Sequence, residues 1–309
     1  MLGSKFESST RSHNKNTHLS GYFYYAHPHK SCYSIGYTFY LIITPFVKNG
    51  HKEYMEIVYF SPTGNVKHLA MRLFEQLQLK QIIARILPLE HTDPASLEKD
   101  GDLVLLYSIH AFHAPRTVIR FARNLPAGHA RRISVISVGS SNSWMNAAAS
   151  LSLIKILQEK KYLIHRNELL AMPLTLAITF PDELSEKLIC QAEEKIDQIA
   201  ETLLSDQGSI SFMPFKSKLM AGIGHMEGLA ARLFGLELHA DDACSSCGLC
   251  ERECPEKNIR MNNANKPEFG LNCLMCLRCI YNCPEHAISP RFSKFIPIKG
   301  GYTIERYRK

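Results

Sequence analysis

The chain has 309 residues, a formal net charge of +7 and 45% hydrophobic residues, enough for two domains with a real core. The charge sits at the ends, with +4 on residues 1–50 and +5 on the last nineteen, leaving −2 for residues 51–290. A nucleic-acid binder carries its charge on the folded body, so that class is set aside, and no apolar run approaches the 18 residues of a membrane-spanning helix.

Residues 1–53 hold ten of the 29 aromatics with no amphipathic pattern, and they read as an N-terminal extension, disordered or mis-annotated. The stretch Ile35–Val47 is apolar but too short to span a bilayer, and it lacks a small-residue cleavage site. Translation is expected to begin at Met55, on the first strand. Intact-mass measurement of the native protein decides the point.

Residues 54–206 alternate apolar runs with amphipathic stretches. Tyr54–Phe60 reads as a strand, and Val66, Leu69, Ala70, Leu73, Phe74 and Leu77 mark a helical stripe. Ile82–Leu87, Leu103–Ile109 and Ile133–Val138 continue the strands, and Leu169–Ile178 contains a fifth. Ala147–Gln158 and Glu183–Leu204 read as helices. This alternation predicts a five-stranded, doubly wound parallel sheet of the α/β class.

The first turn reads Phe60-Ser61-Pro62-Thr63-Gly64-Asn65-Val66. The hydroxyls of Ser61 and Thr63 and the amide of Asn65 can donate to a phosphate, Gly64 permits close approach, and the following helix offers free N–H groups. The turn resembles the phosphate loop of flavodoxins, which implies a flavodoxin-like domain binding FMN. Flavodoxins usually place threonine where Val66 stands, so one hydroxyl donor is missing while the backbone amide remains. The resemblance places the flavin ring at the carboxyl ends of the third and fourth strands. There Phe112 and Trp144 are the aromatic candidates for stacking, and His110 and His113 lie in the first of the two loops. Residues 207–240 read as a connector, with a helix from Leu219 to Phe234 whose apolar face packs between domains.

Eight of the ten cysteines fall in residues 241–290, in two copies of one spacing. The first is Cys244, Cys247, Cys250 and Cys254-Pro255. The second is Cys273, Cys276, Cys279 and Cys283-Pro284. Structural zinc uses two Cys-x-x-Cys knuckles per ion, whereas here a third thiol follows each knuckle. The pattern resembles the two-cluster bacterial-type ferredoxins, α+β modules holding two 4Fe-4S clusters. The resemblance implies one cluster on Cys244, Cys247, Cys250 and Cys283, and another on Cys273, Cys276, Cys279 and Cys254. Residues 291–309 form a basic, solvated tail.

The whole resembles a flavodoxin–ferredoxin fusion family of anaerobes. That implies a cytoplasmic electron-transfer protein with two 4Fe-4S clusters and FMN, serving a redox partner protein. Two alternatives stay open. The flavodoxin-like domain can be a flavin-free docking scaffold, or the chain can be a flavin-dependent reductase of a small substrate.

Overall fold

The computed structural model describes residues 47–48, 51–52, 54–205, 208–211, 213–224 and 227–307; most of the expected N-terminal extension lies outside them. Strands β1 (Val47–Lys48) and β2 (His51–Lys52) form a short antiparallel pair. The main sheet starts at β3 (Tyr54–Phe60), followed by helix α1 (Asn65–Leu79) and β4 (Ile83–Pro88). Then come β5 (Asp102–Ser108), α2 (Arg116–Asn124), β6 (Arg132–Gly139), α3 (Leu151–Glu159), β7 (Leu163–Ala171) and α4 (Asp182–Thr202).

All pairings in this sheet are parallel, in the order β4-β3-β5-β6-β7-β8. The first five strands follow the flavodoxin-like order, with the switch point between the first and third strands of the sheet. The sixth, β8 (Ser209–Ile210), was not expected from sequence; two residues are too few to show a period.

Side chains alternate between two cores along each central strand. Ile57, Val104 and Leu106 face α1 and α4, while Val58, Leu103, Leu105 and Tyr107 face α2 and α3. Both faces being covered explains why these strands are almost continuously apolar. Of the expected stripe on α1, Val66, Leu69, Ala70, Leu73 and Leu77 are buried.

Two boundaries differ from the sequence expectation. Strand β7 starts six residues before Leu169, and after Leu163 and Ile164 it carries four polar residues, His165, Arg166, Asn167 and Glu168, all buried. Each has a partner: Arg166 meets Glu168 at 3.4 Å, Ser150 donates to Asn167 at 2.6 Å, and His165 pairs with the Ser205 carbonyl. The helix expected from Ala147 begins at Leu151, after a run of turns.

At the amino-terminal edge of the sheet, the fully buried carboxylate of Glu56 meets Arg131 at 3.0 Å and Arg85 at 3.2 Å, and accepts from the Glu98 amide. Removing one partner of a buried ion pair leaves an uncompensated charge and costs about 3–5 kcal/mol. Glu56→Ala is therefore expected to lower stability by about that amount. A urea midpoint unchanged at constant m-value would show that Glu56 is dispensable.

The connector contains two helices, α5 (Phe215–Gly224) and α6 (Glu227–Glu237). Of the expected apolar face, Leu229, Ala230 and Leu233 are exposed and Met220 is half-buried, while Ser217, Ala221, Ala231 and Phe234 are buried. Beyond it, β9 (Leu238–Ala240), α7 (Leu249–Glu253), β10 (Ile259–Met261), β11 (Pro267–Phe269), α8 (Arg278–Tyr281) and β12 (Ile288–Pro290) form a small module. Its strands pair antiparallel as β10 with β11 and β12 with β9.

Candidate electron-transfer site

The two cysteine copies fold alike. Ser246 and Met275, one residue before the second cysteine of each copy, have positive φ (59° and 52°). Gly248 and Leu277, one residue after it, have φ of 68° and 60°. Lys257 and His286, three residues after each Cys-Pro cysteine, have φ of 50° and 49°. Left-handed residues are costly for side chains other than glycine, and their recurrence at matched positions turns the chain around the sulfurs. Amides then point inward: Met275 donates to Cys273 Sγ at 3.2 Å, Asn258 to Cys254 Sγ at 3.2 Å and Ala287 to Cys283 Sγ at 3.4 Å. Such donors suit a thiolate and tune a bound cluster.

Cys244, Cys247, Cys250 and Cys283 line one small cavity, together with Gly248, Leu249, Met261 and Ile288. The other four are also neighbours, because Cys254 acts electrostatically on Cys273, Cys276 and Cys279. Among the described residues, no three His, Cys, Asp or Glu side chains converge on a point that would suit a single metal ion. Grouped thiols with backbone amides aimed at their sulfurs are the donors an iron–sulfur cube takes. The donor set fits a cluster.

The two groups differ in exposure. Cys247 is exposed. Burial pushes the thiols of Cys276 and Cys273 up to about 11 and about 12, and Cys279 well above its ordinary value; in the first group it raises Cys250. Thiolates form there only with compensating positive charge, which bound iron supplies.

The second group, whose four cysteines are half-buried, lies against the parallel sheet. Strands β3, β5, β6 and β7 all end on one edge, and the module's second repeat docks on the loops there. Leu274 is buried in the core shared by Phe60 and Tyr107, with Cys276 packed beside it. Arg116 donates to the carbonyls of Asn272 and Cys273, the latter at 3.0 Å, and Arg120 pairs with Glu256 at 2.9 Å. Tyr281 donates to the Thr175 carbonyl at 2.7 Å. Gly235 sits where any Cβ would lie 2.5 Å from the Cys273 Cβ, so α6 packs tightly beneath this loop.

The expected phosphate loop lies on the same edge. Gly64 (φ 100°) precedes α1, whose first turn carries no acid. The amides of Asn65 and Val66 open the helix and have no intrahelical acceptor. Ser61 Oγ accepts from the Lys67 amide at 2.9 Å, leaving its own proton to donate; Thr63 is half-buried. These groups fit a phosphate. The Asn65 side chain is engaged elsewhere, since its Nδ2 donates to the Pro173 carbonyl at 3.0 Å and its Oδ1 accepts from Tyr302 at 2.5 Å. Phe112 lies in a tight turn at φ 69° after β5, and Trp144 stands about half-exposed after β6.

His110 lies in the turn with Phe112, its ring centroid 6.1 Å from that of Phe60. Burial holds its imidazole down, to about 4, with His113 acting in the same direction and a hydrogen bond to the Leu274 backbone opposing.

Sequence reasoning missed the tail. Residues expected to be solvated instead return to the sheet: Ile304 and Tyr307 are buried in the core with Val66 and Leu69. A Cβ on Gly64 would meet the Ile304 side chain at 3.4 Å. Arg278 was missed as well, being embedded between cluster cysteines.

A family model described as 4Fe-4S dicluster domain matches residues 237–284. Among solved structures, a short-chain flavodoxin associated with a PDU bacterial microcompartment is 15% identical, with TM-score 0.40, covering 50% of this chain and 99% of that one. The Streptococcus pneumonia TIGR4 flavodoxin is 14% identical, with TM-score 0.37, covering 48% and 97%. A Fusobacterium nucleatum flavodoxin mutant bound to flavin mononucleotide is 11% identical, with TM-score 0.35, covering 49% and 97%. No curated protein matches. The chain joins a flavodoxin-like parallel sheet to a C-terminal iron–sulfur domain. No helix among the described residues is long and apolar enough to cross a membrane.

Proposed function

We propose that the protein transfers electrons through two 4Fe-4S clusters to and from an FMN held at the carboxyl edge of the sheet. The observation that carries this reading is the asymmetry of the two cysteine groups. One includes the exposed Cys247 and lines a cavity; the other is packed against the loops where a doubly wound sheet binds its ligand.

In this reading, Cys244, Cys247, Cys250 and Cys283 hold the cluster that meets a redox partner protein. Cys254, Cys273, Cys276 and Cys279 hold the inner one. Bound FMN would exchange one or two electrons, linking the one-electron clusters to a two-electron donor or acceptor. Ser61, Thr63, Gly64 and the amides of Asn65 and Val66 would hold its phosphate, while Phe112 and Trp144 would flank the ring. The chain supplies orientation and low polarity, with the buried Leu274 beside the inner group. The domain limits are proposed as 54–206 for the flavin part and 241–290 for the clusters. A reducing, cytoplasmic setting follows from the thiol ligands.

One observation favours a second reading, in which the sheet is a flavin-free scaffold: Arg278 and Ile304 of the same chain already contact the phosphate loop at Ser61 and Gly64. Anaerobic purification followed by iron, sulfide and flavin analysis separates the two. FMN bound with the clusters is the expected result. Clusters with no flavin, and none taken up from added FMN, would leave only the scaffold.

A further inference from the structure

Arg278 stands between two cysteines of the inner group and is 7% exposed. Its guanidinium reaches three places. One Nη donates to the Glu253 carbonyl at 3.1 Å, immediately before Cys254. The other Nη donates to the Ser61 carbonyl at 2.9 Å and to the Glu90 carboxylate. The group also lies 5.8 Å from the Phe60 ring centroid. One side chain therefore ties the inner cysteine loops to the phosphate loop, and Glu90, equally buried, is the one carboxylate paired with it among the described residues.

We propose that Arg278 is a positioning residue that seats the inner cluster on the phosphate loop, and that with Glu90 it sets that cluster's reduction potential apart from the outer one. The inference rests on the cluster assignment above. One-electron reduction adds a negative charge to a cluster. A buried cation beside it favours the reduced form and a buried anion opposes it, with little screening by solvent. Cations border the outer group too, Arg252 donating to the Cys247 carbonyl at 3.0 Å and Lys266 to the Cys244 carbonyl at 3.2 Å, but Arg252 is exposed and Lys266 half-buried, so solvent screens them more than it screens Arg278. The inner cluster thereby becomes adjustable by one ion pair that also touches the flavin loop.

The proposal is tested by an anaerobic redox titration of the full chain with dithionite as reductant, read by electron paramagnetic resonance. Wild-type protein first has to show two cluster signals and the matching iron and sulfide; one signal alone would overturn the cluster assignment itself. Arg278→Met is expected to lower one midpoint potential and Glu90→Gln to raise the same one, the other staying in place. Arg278→Lys keeps the charge without the fork, so it restores the potential in part. If Arg278→Met fails to assemble the inner cluster, Glu90→Gln alone decides by the same criterion. Two unmoved midpoints, or both clusters shifting alike, overturn the proposal.

Discussion

The double variant Cys247→Ser/Cys254→Ser is expected to lose both clusters, although the two residues belong to the same sequence copy. Cys247 lines the outer cavity with Cys283, whereas Cys254 neighbours Cys273, Cys276 and Cys279. Each substitution then removes one thiolate from a different cube. Singly, either variant is expected to retain about half the iron and sulfide, since a cube wants four thiolates. If ligands were grouped by copy, Cys244 to Cys254 and Cys273 to Cys283, the double variant would damage one cluster alone and keep the other. Acid-labile sulfide and iron per chain distinguish the cases, with electron paramagnetic resonance showing which signal survives. The shared apolar core of Phe234, Leu238, Leu277, Ile280 and Ile288, against which both groups pack, predicts that losing both leaves the module poorly folded.

The cysteine pattern was readable because its signal is local: three thiols at fixed intervals and a Cys-Pro recur twice within fifty residues, the stretch that a 4Fe-4S dicluster model matches. The central strands were readable for a related reason, since burial on both faces makes Leu103–Leu106 apolar whatever surrounds it. Strand β7 was hidden by the polar run His165–Glu168 that follows Leu163 and Ile164, because Asn167 is satisfied by Ser150 and Arg166 by the Thr202 carbonyl, which lie 17 and 36 residues away. The connector shows the limit of periodicity. Leu229, Ala230 and Leu233 belong to the expected stripe, but a stripe does not say which face meets the core, and here Ala231 and Phe234 do. The tail was unreadable in the same sense. Tyr302, Ile304 and Tyr307 lie in a basic stretch without amphipathic period, and the partner that orders Tyr302 is 237 residues earlier.

That tail carries the second large effect. Ile304→Ala with Tyr307→Ala is expected to lower stability by about 5 kcal/mol or more, from the roughly 2–5 kcal/mol that each buried side chain of this size contributes. Both are 5% exposed or less and sit in the core with Val66, Leu69 and Ile196. If the segment detaches, the chain entropy it regains offsets part of the loss, so the measured value falls at the lower end. Against a total of about 5–15 kcal/mol, this is enough to unfold a marginal protein, and thermal and urea unfolding of flavin-free protein measure it. An unchanged midpoint would mean that the tail does not hold the sheet. Tyr302→Phe isolates the part that concerns the site. It removes only the hydroxyl that donates to Asn65 Oδ1, a loss of about 1 kcal/mol. Burial already pushes that phenol well above its ordinary range, so the hydroxyl stays a neutral donor across working pH. Without it, Asn65 keeps its bond to Pro173 but loses its second anchor, and the amide that opens α1 is free to drift from the phosphate position. FMN should then bind about five- to tenfold more weakly, measured by quenching of its fluorescence. Because the cysteine loops are untouched, iron and sulfide should stay at wild-type content, which separates loss of the cradle from general unfolding.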